Sequence, residues 1–168
     1  MKDYMLPDTE GQLIGRGVVT HGLDISGLGP HAFPKFQAAT SELKNQGVAF
    51  CVTSVVRTDT EQAALWAQGR EPLSVVNNLR SKAGFPVILP SENAYVVTMC
   101  DGVTIRSPHQ DRRAADIVPM TSTLQPCWPD KSDLRWLQIA EVMESFGITW
   151  GGRWKDFPDF PHYEVQEA

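Results

Sequence analysis

Two of the chain's four histidines sit near carboxylates: His109 lies seven residues before Asp116, and His162 three residues after Asp159. Two imidazoles and an aspartate form a ligand set for a divalent cation. A hydrolytic zinc site needs three protein ligands, an open position for water and a nearby base. His109, Asp116 and His162 can supply the ligands, and Asp159 the base. The helical His-Glu-x-x-His motif of many metalloproteases is absent from the sequence, so any zinc site here is of another kind.

Each residue also has a plainer account. Asp116 is flanked by Ala115 and Ile117. It either faces water from an edge strand, the reading its own segment favours, or is held inside by a partner, since burying an unpaired carboxylate costs several kcal/mol. His162 lies among Trp154, Phe157, Phe160 and Tyr163 and fits a hydrogen-bonded core histidine as well as a ligand. Glu164, two residues on, shares its face in a strand and can fix its second ring nitrogen, or is an ordinary exposed acid. Asp159 in a Pro-rich turn can cap local backbone N–H groups instead of moving protons.

The elements that position these residues follow from local signals. Residues 34–46 predict a helix with Pro34 in its first turn and Gly47 at its stop. Residues 47–56 are rich in β-branched residues and read as a buried strand. Thr58 and Glu61 form a capping box for a helix that ends at Gly69. A helix over 73–83, a strand over 94–99, an Asp101-Gly102 turn and a strand over 114–118 follow. Residues 133–146 predict an amphipathic helix with Leu134, Leu137, Ile139, Ala140, Met143 and Phe146 on its apolar face. Strands over 148–150 and 163–165 close the chain. Helices and strands do not alternate strictly, which points to a single α+β domain with a small, mainly antiparallel sheet and flanking helices. Residues 1–33 read as a glycine-rich lead-in packed on the domain, and 34–168 as the catalytic domain.

Composition narrows the function. A net charge of −5 without a basic patch argues against a nucleic-acid partner. No apolar run reaches membrane-spanning length, and the N-terminus carries no signal-peptide core. Cys51, Cys100 and Cys127 are odd in number and far apart, which argues against a disulfide framework.

The motifs resemble the D-Ala-D-Ala carboxypeptidase / L-alanyl-D-glutamate endopeptidase family of zinc peptidases, which includes phage endolysins and vancomycin-resistance dipeptidases. Ser107, His109, Ala114 and Asp116 match its Ser-x-His-x-x-Gly-x-Ala-x-Asp motif. Gly151, Gly152, Trp154, Phe157, Asp159, Pro161, His162, Tyr163 and Glu164 match its Gly-Gly-x-Trp-x-x-Phe-x-Asp-x-Pro-His-aromatic-Glu motif. The stretch from Ser54 to Arg70 is similar to its Ser-Gly-Tyr-Arg block and the helix after it. The resemblance spans about residues 34–165 and implies a fold of the Hedgehog/DD-peptidase kind. It implies zinc on His109, Asp116 and His162, Asp159 as acid/base and Arg57 as the cation facing the substrate; the plainer role for Arg57 is an ion pair with Asp59 or Glu61. Two departures stand out: Arg112 replaces the family glycine, and Val55-Val56 the Gly-Tyr.

The implied activity is hydrolysis of a peptidoglycan stem peptide, with the L-Ala–D-Glu bond as first choice. D-Ala-D-Ala carboxypeptidase or dipeptidase activity is the alternative within the class, and a non-catalytic zinc-stabilised binding domain the alternative outside it. A monomer is expected, made in the bacterial cytoplasm and acting on the wall after release as a phage or prophage lysin.

Overall fold

The computed structural model describes residues 12–14, 18–22 and 24–167. Much of the expected lead-in, residues 1–11, 15–17 and 23, lies outside them. The chain divides into two compact units, one of Met1–Val55 with Arg113–Ala168, the other of Val56–Arg112.

The first unit holds the sheet. Its strands are β1 (Gln12–Ile14), β2 (Val18–Gly22), β3 (Phe50–Ser54), β4 (Ala114–Pro119), β5 (Thr149–Trp150) and β6 (His162–Glu164). They lie in the order β1-β2-β3-β4-β6-β5. β2 and β3 run parallel; the other pairs are antiparallel, as expected. Helices α1 (Phe33–Asn45) and α4 (Leu134–Ser145) pack against each other. They share one apolar core with the sheet, built around Phe36, Leu43, Phe50, Ile117, Trp136, Met143 and Tyr163. Leu28 and Ala32 are part of that core. Val55 is in it too, whereas Val56 is exposed.

Two sequence expectations fail here for physical reasons. On α4 the buried face is Trp136, Ile139, Ala140, Val142 and Met143. Leu134 is 69% exposed and Leu137 39%. Trp136, Ile139, Ala140 and Met143 follow the i, i+3, i+4, i+7 spacing of one helical face, and the bulk of Trp136 sets which face turns inward. Asp116 does not sit on an edge strand: β4 lies between β3 and β6, and its side chain is 20% exposed.

The second unit contains helices α2 (Asp59–Ala67) and α3 (Leu73–Lys82), packed around Ala67, Val76 and Ile88. The Thr58–Glu61 capping box forms as expected. Residues 94–99, expected as a strand, are turn and coil. Their β-branched residues find no strand to pair with; Arg70 instead donates to the Thr98 carbonyl at 2.9 Å and Gln62 to that of Cys100 at 2.6 Å. No helix among the described residues is long and apolar enough to cross a membrane.

Candidate metal centre

β4 and β6 build one part of the centre. Asp116 and His162 are directly opposite each other in the antiparallel register. His162 Nδ1 lies 3.4 Å from Asp116 Oδ1. Its Nε2 lies 3.1 Å from Glu164 Oε2. A carboxylate only accepts, so Nε2 donates to Glu164, while Nδ1 faces the Asp116 carboxylate. Glu164 is itself steadied by Gln166 Nε2 at 2.8 Å. Of its two readings, Glu164 is the buried acceptor.

The carboxylates around His162 favour its protonated form. Burial is the largest influence on His162 and lowers its pKa. Hydrogen bonds to Asp116 and Glu164, and the charges of Asp116 and Asp159, outweigh burial and raise it to about 9. For Glu164, burial raises the pKa, but the His162 hydrogen bond and the charges of His162 and Arg113 bring it below the ordinary carboxylate value.

The loop before β6 is shaped by two glycines. Trp150 leads into a 3-10 turn over Gly151–Arg153. The Gly151 carbonyl accepts from Asp159 N at 3.1 Å, and the Asp159 carbonyl from His162 N at 3.2 Å. A Cβ on Gly151 would lie 2.7 Å from the Asp159 carbonyl oxygen, and one on Gly152 would run into the Trp150 ring. The Trp154 ring packs on His162 with centroids 5.2 Å apart. The Asp159 and His162 segment is thus held by backbone contacts that only glycine permits.

His109 is 2% exposed. It sits in a tight turn where its N–H donates to Ser107 Oγ at 3.3 Å. Its carbonyl accepts from Arg57 N at 3.3 Å and Arg112 N at 3.2 Å. Arg112 adopts φ 58°, the left-handed region, at the position where the resemblance expects glycine. Arg57 donates from Nη1 to Gln62 Oε1 at 2.9 Å. Glu61 closes the capping box, and Asp59 accepts from Gln110 at 2.7 Å.

Asp116 and His162 meet within the first unit, and His109 belongs to the second. Ligands about 2.0–2.1 Å from a tetrahedral zinc stand roughly 3.3 Å apart, close to the 3.4 Å between His162 and Asp116. Two imidazoles, a carboxylate and an anionic second acceptor fit a borderline divalent ion. The sequence reading missed Gln62 and Gln110, both buried. Gln62 falls inside the quoted helix block, but nothing local marks Gln110, whose partner Asp59 is 51 residues away.

Comparison with known proteins gives concordant results. The peptidase family described as D-alanyl-D-alanine carboxypeptidase matches residues 101–165. The peptidoglycan L-alanyl-D-glutamate endopeptidase CwlK of Bacillus subtilis (strain 168) is 26% identical over 148 residues, covering 83% of this chain and 74% of that protein. The crystal structure of the L-Ala D-Glu endopeptidase ChiX of Serratia marcescens superposes with a TM-score of 0.51 at 22% identity, covering 84% of this chain and 83% of that one. A variant of the D,D-pentapeptidase VanY from a VanB-type vancomycin-resistance cassette, in complex with Zn(II), also gives 0.51, at 18% identity over 94% of this chain and 79% of that one.

Proposed function

We propose that this chain, a metallopeptidase whose motifs and fold match the D-Ala-D-Ala carboxypeptidase / L-alanyl-D-glutamate endopeptidase family, hydrolyses the L-Ala–D-Glu bond of the peptidoglycan stem with zinc on His109, Asp116 and His162. The observation that carries this reading is the pairing of Asp116 with His162 across β4 and β6, with His162 Nε2 fixed by Glu164. When bound, zinc supplies a Lewis acid and lowers the pKa of a water to about 7.

The remaining chemistry falls to the chain's own residues. Asp159 takes a proton from the attacking water and passes it to the leaving amine. The Arg57 guanidinium, held by Gln62, faces the charge that develops on the carbonyl oxygen. Glu164 keeps the His162 ring in the tautomer that leaves Nδ1 to the metal. A binding-only domain has no use for an acid/base at position 159, which favours the catalytic reading.

The choice of bond rests on the names of CwlK and ChiX. D-Ala-D-Ala cleavage is the second reading, favoured by the matched family's description. Digestion of purified sacculi followed by mass analysis separates them. A new N-terminal D-Glu is the expected product; loss of a terminal D-Ala without it would overturn the bond assignment. Under the same proposal the enzyme is a monomer that reaches the wall as a phage or prophage lysin. Expression inside bacteria then lyses them only after the membrane is opened.

A further inference from the structure

Gln110 follows His109 and is 8% exposed. An amide offers one acceptor oxygen and two donor hydrogens, and here all are used. Oε1 accepts from Ser107 N at 2.9 Å. Nε2 donates to Asp59 Oδ1 at 2.7 Å and to the Gly102 carbonyl at 3.2 Å. The three partners belong to three places: the turn that carries His109, the first residue of α2, and the Asp101-Gly102 turn. Gly102 has φ +82°, and a Cβ there would lie 2.7 Å from Gln62 Cγ and 3.3 Å from Gln110 Nε2. The Asp101-Gly102 turn is closed by Asp101 Oδ1, which accepts from the N–H groups of Val103, Thr104 and Ile105. Gln110 therefore ties the His109 turn to the start of α2, through an exposed Asp59 carboxylate that also meets Arg106 at 3.6 Å, and to the closed Asp101-Gly102 turn.

Useful metal sites hold their ligands to about half an ångström and 10–20°. His109 rides on a coil turn, with no sheet ladder of the kind that sets Asp116 and His162. We infer that Gln110 is a positioning residue for His109: its three hydrogen bonds lock the turn so that the imidazole reaches the metal in one orientation. Gln110 itself touches neither metal nor substrate. The inference rests on the reading of His109 as a ligand.

The test measures zinc affinity on the full chain by competition with a chromophoric chelator. The visible absorption of the cobalt-substituted protein and the metal-free melting midpoint are recorded alongside. Gln110→Ala is expected to weaken zinc binding about 10–100-fold, the usual cost of losing an outer-shell partner, and to shift the cobalt spectrum. Gln110→Glu keeps the shape but sets a second carboxylate against Asp59, and is expected to weaken binding as well. Asp59→Asn in the Gln110→Glu background restores an N–H to carboxylate pair and is expected to recover most of the affinity and the native cobalt spectrum. Unchanged affinity in Gln110→Ala would overturn the inference. So would variants that melt earlier yet keep the native cobalt spectrum, or a double variant that recovers nothing. His109→Ala separates the two readings: if it binds zinc as tightly as the natural chain, the ligand assignment fails and the inference with it.

Discussion

Arg112 occupies a backbone conformation, φ 58°, that side chains with a Cβ visit at a cost of about 1–2 kcal/mol. Replacing it by glycine removes that cost but adds about 0.5–1 kcal/mol of unfolded-state freedom. Arg112→Gly is therefore expected to raise stability by about 0.5–1 kcal/mol, or roughly 1–4 °C in melting midpoint. A fall in the midpoint would show that the guanidinium's contacts outweigh the strain. The departure from the family pattern was readable in the sequence; the strain was not, because φ depends on how the turn is closed. Asp159 gives the second residue-scale prediction. Asp159→Ala is expected to keep one zinc per chain and lose about 100–10,000-fold in turnover. Undiminished hydrolysis would remove it as the base.

At the scale of elements, Asp133 begins α4 by accepting from Arg135 N at 3.0 Å and from the Arg135 guanidinium at 2.8 Å. The guanidinium hydrogen bond first, and then the backbone one, hold its carboxyl down from 3.8 to about 2. Because the folded value is depressed, the charged cap stabilises the protein fully above the unfolded value. That stabilisation is lost as pH falls through about 2. The melting midpoints of the natural chain and Asp133→Asn are thus expected to differ by a constant amount above about pH 4 and to converge toward pH 2. A gap that stays constant down to pH 2 would show that the charge contributes nothing. Signals of this local kind were legible: the Thr58–Glu61 box and the glycine after α1 act within one turn of chain. The failures were non-local. β-propensity over residues 94–99 could not reveal that Arg70 and Gln62 would claim the carbonyls. Apolar spacing alone did not show that Trp136, and not Leu134, turns inward on α4.

Across the whole molecule, the three proposed ligand residues lie up to 53 positions apart, His109 to His162, and in sequence they are visible only as two short motifs. A cation that binds them favours the folded chain by mass action, by about 2.7 kcal/mol at a free zinc concentration a hundredfold above the dissociation constant. Chelation is expected to lower the melting midpoint by roughly 5–10 °C under those conditions, and added zinc to restore it. An unchanged midpoint would argue against the metal reading. The chelated chain should stay folded at room temperature, since the core of the first unit, from Phe36 to Tyr163, is apolar and needs no ion.

The pairing of Asp116 with His162 across β4 and β6 has a practical corollary. The gap between these two side chains is set by the backbone ladder, so under the proposed metal reading both ligands are in place before any ion arrives. A chain stripped of its ion keeps that pair in register and can be recharged without refolding.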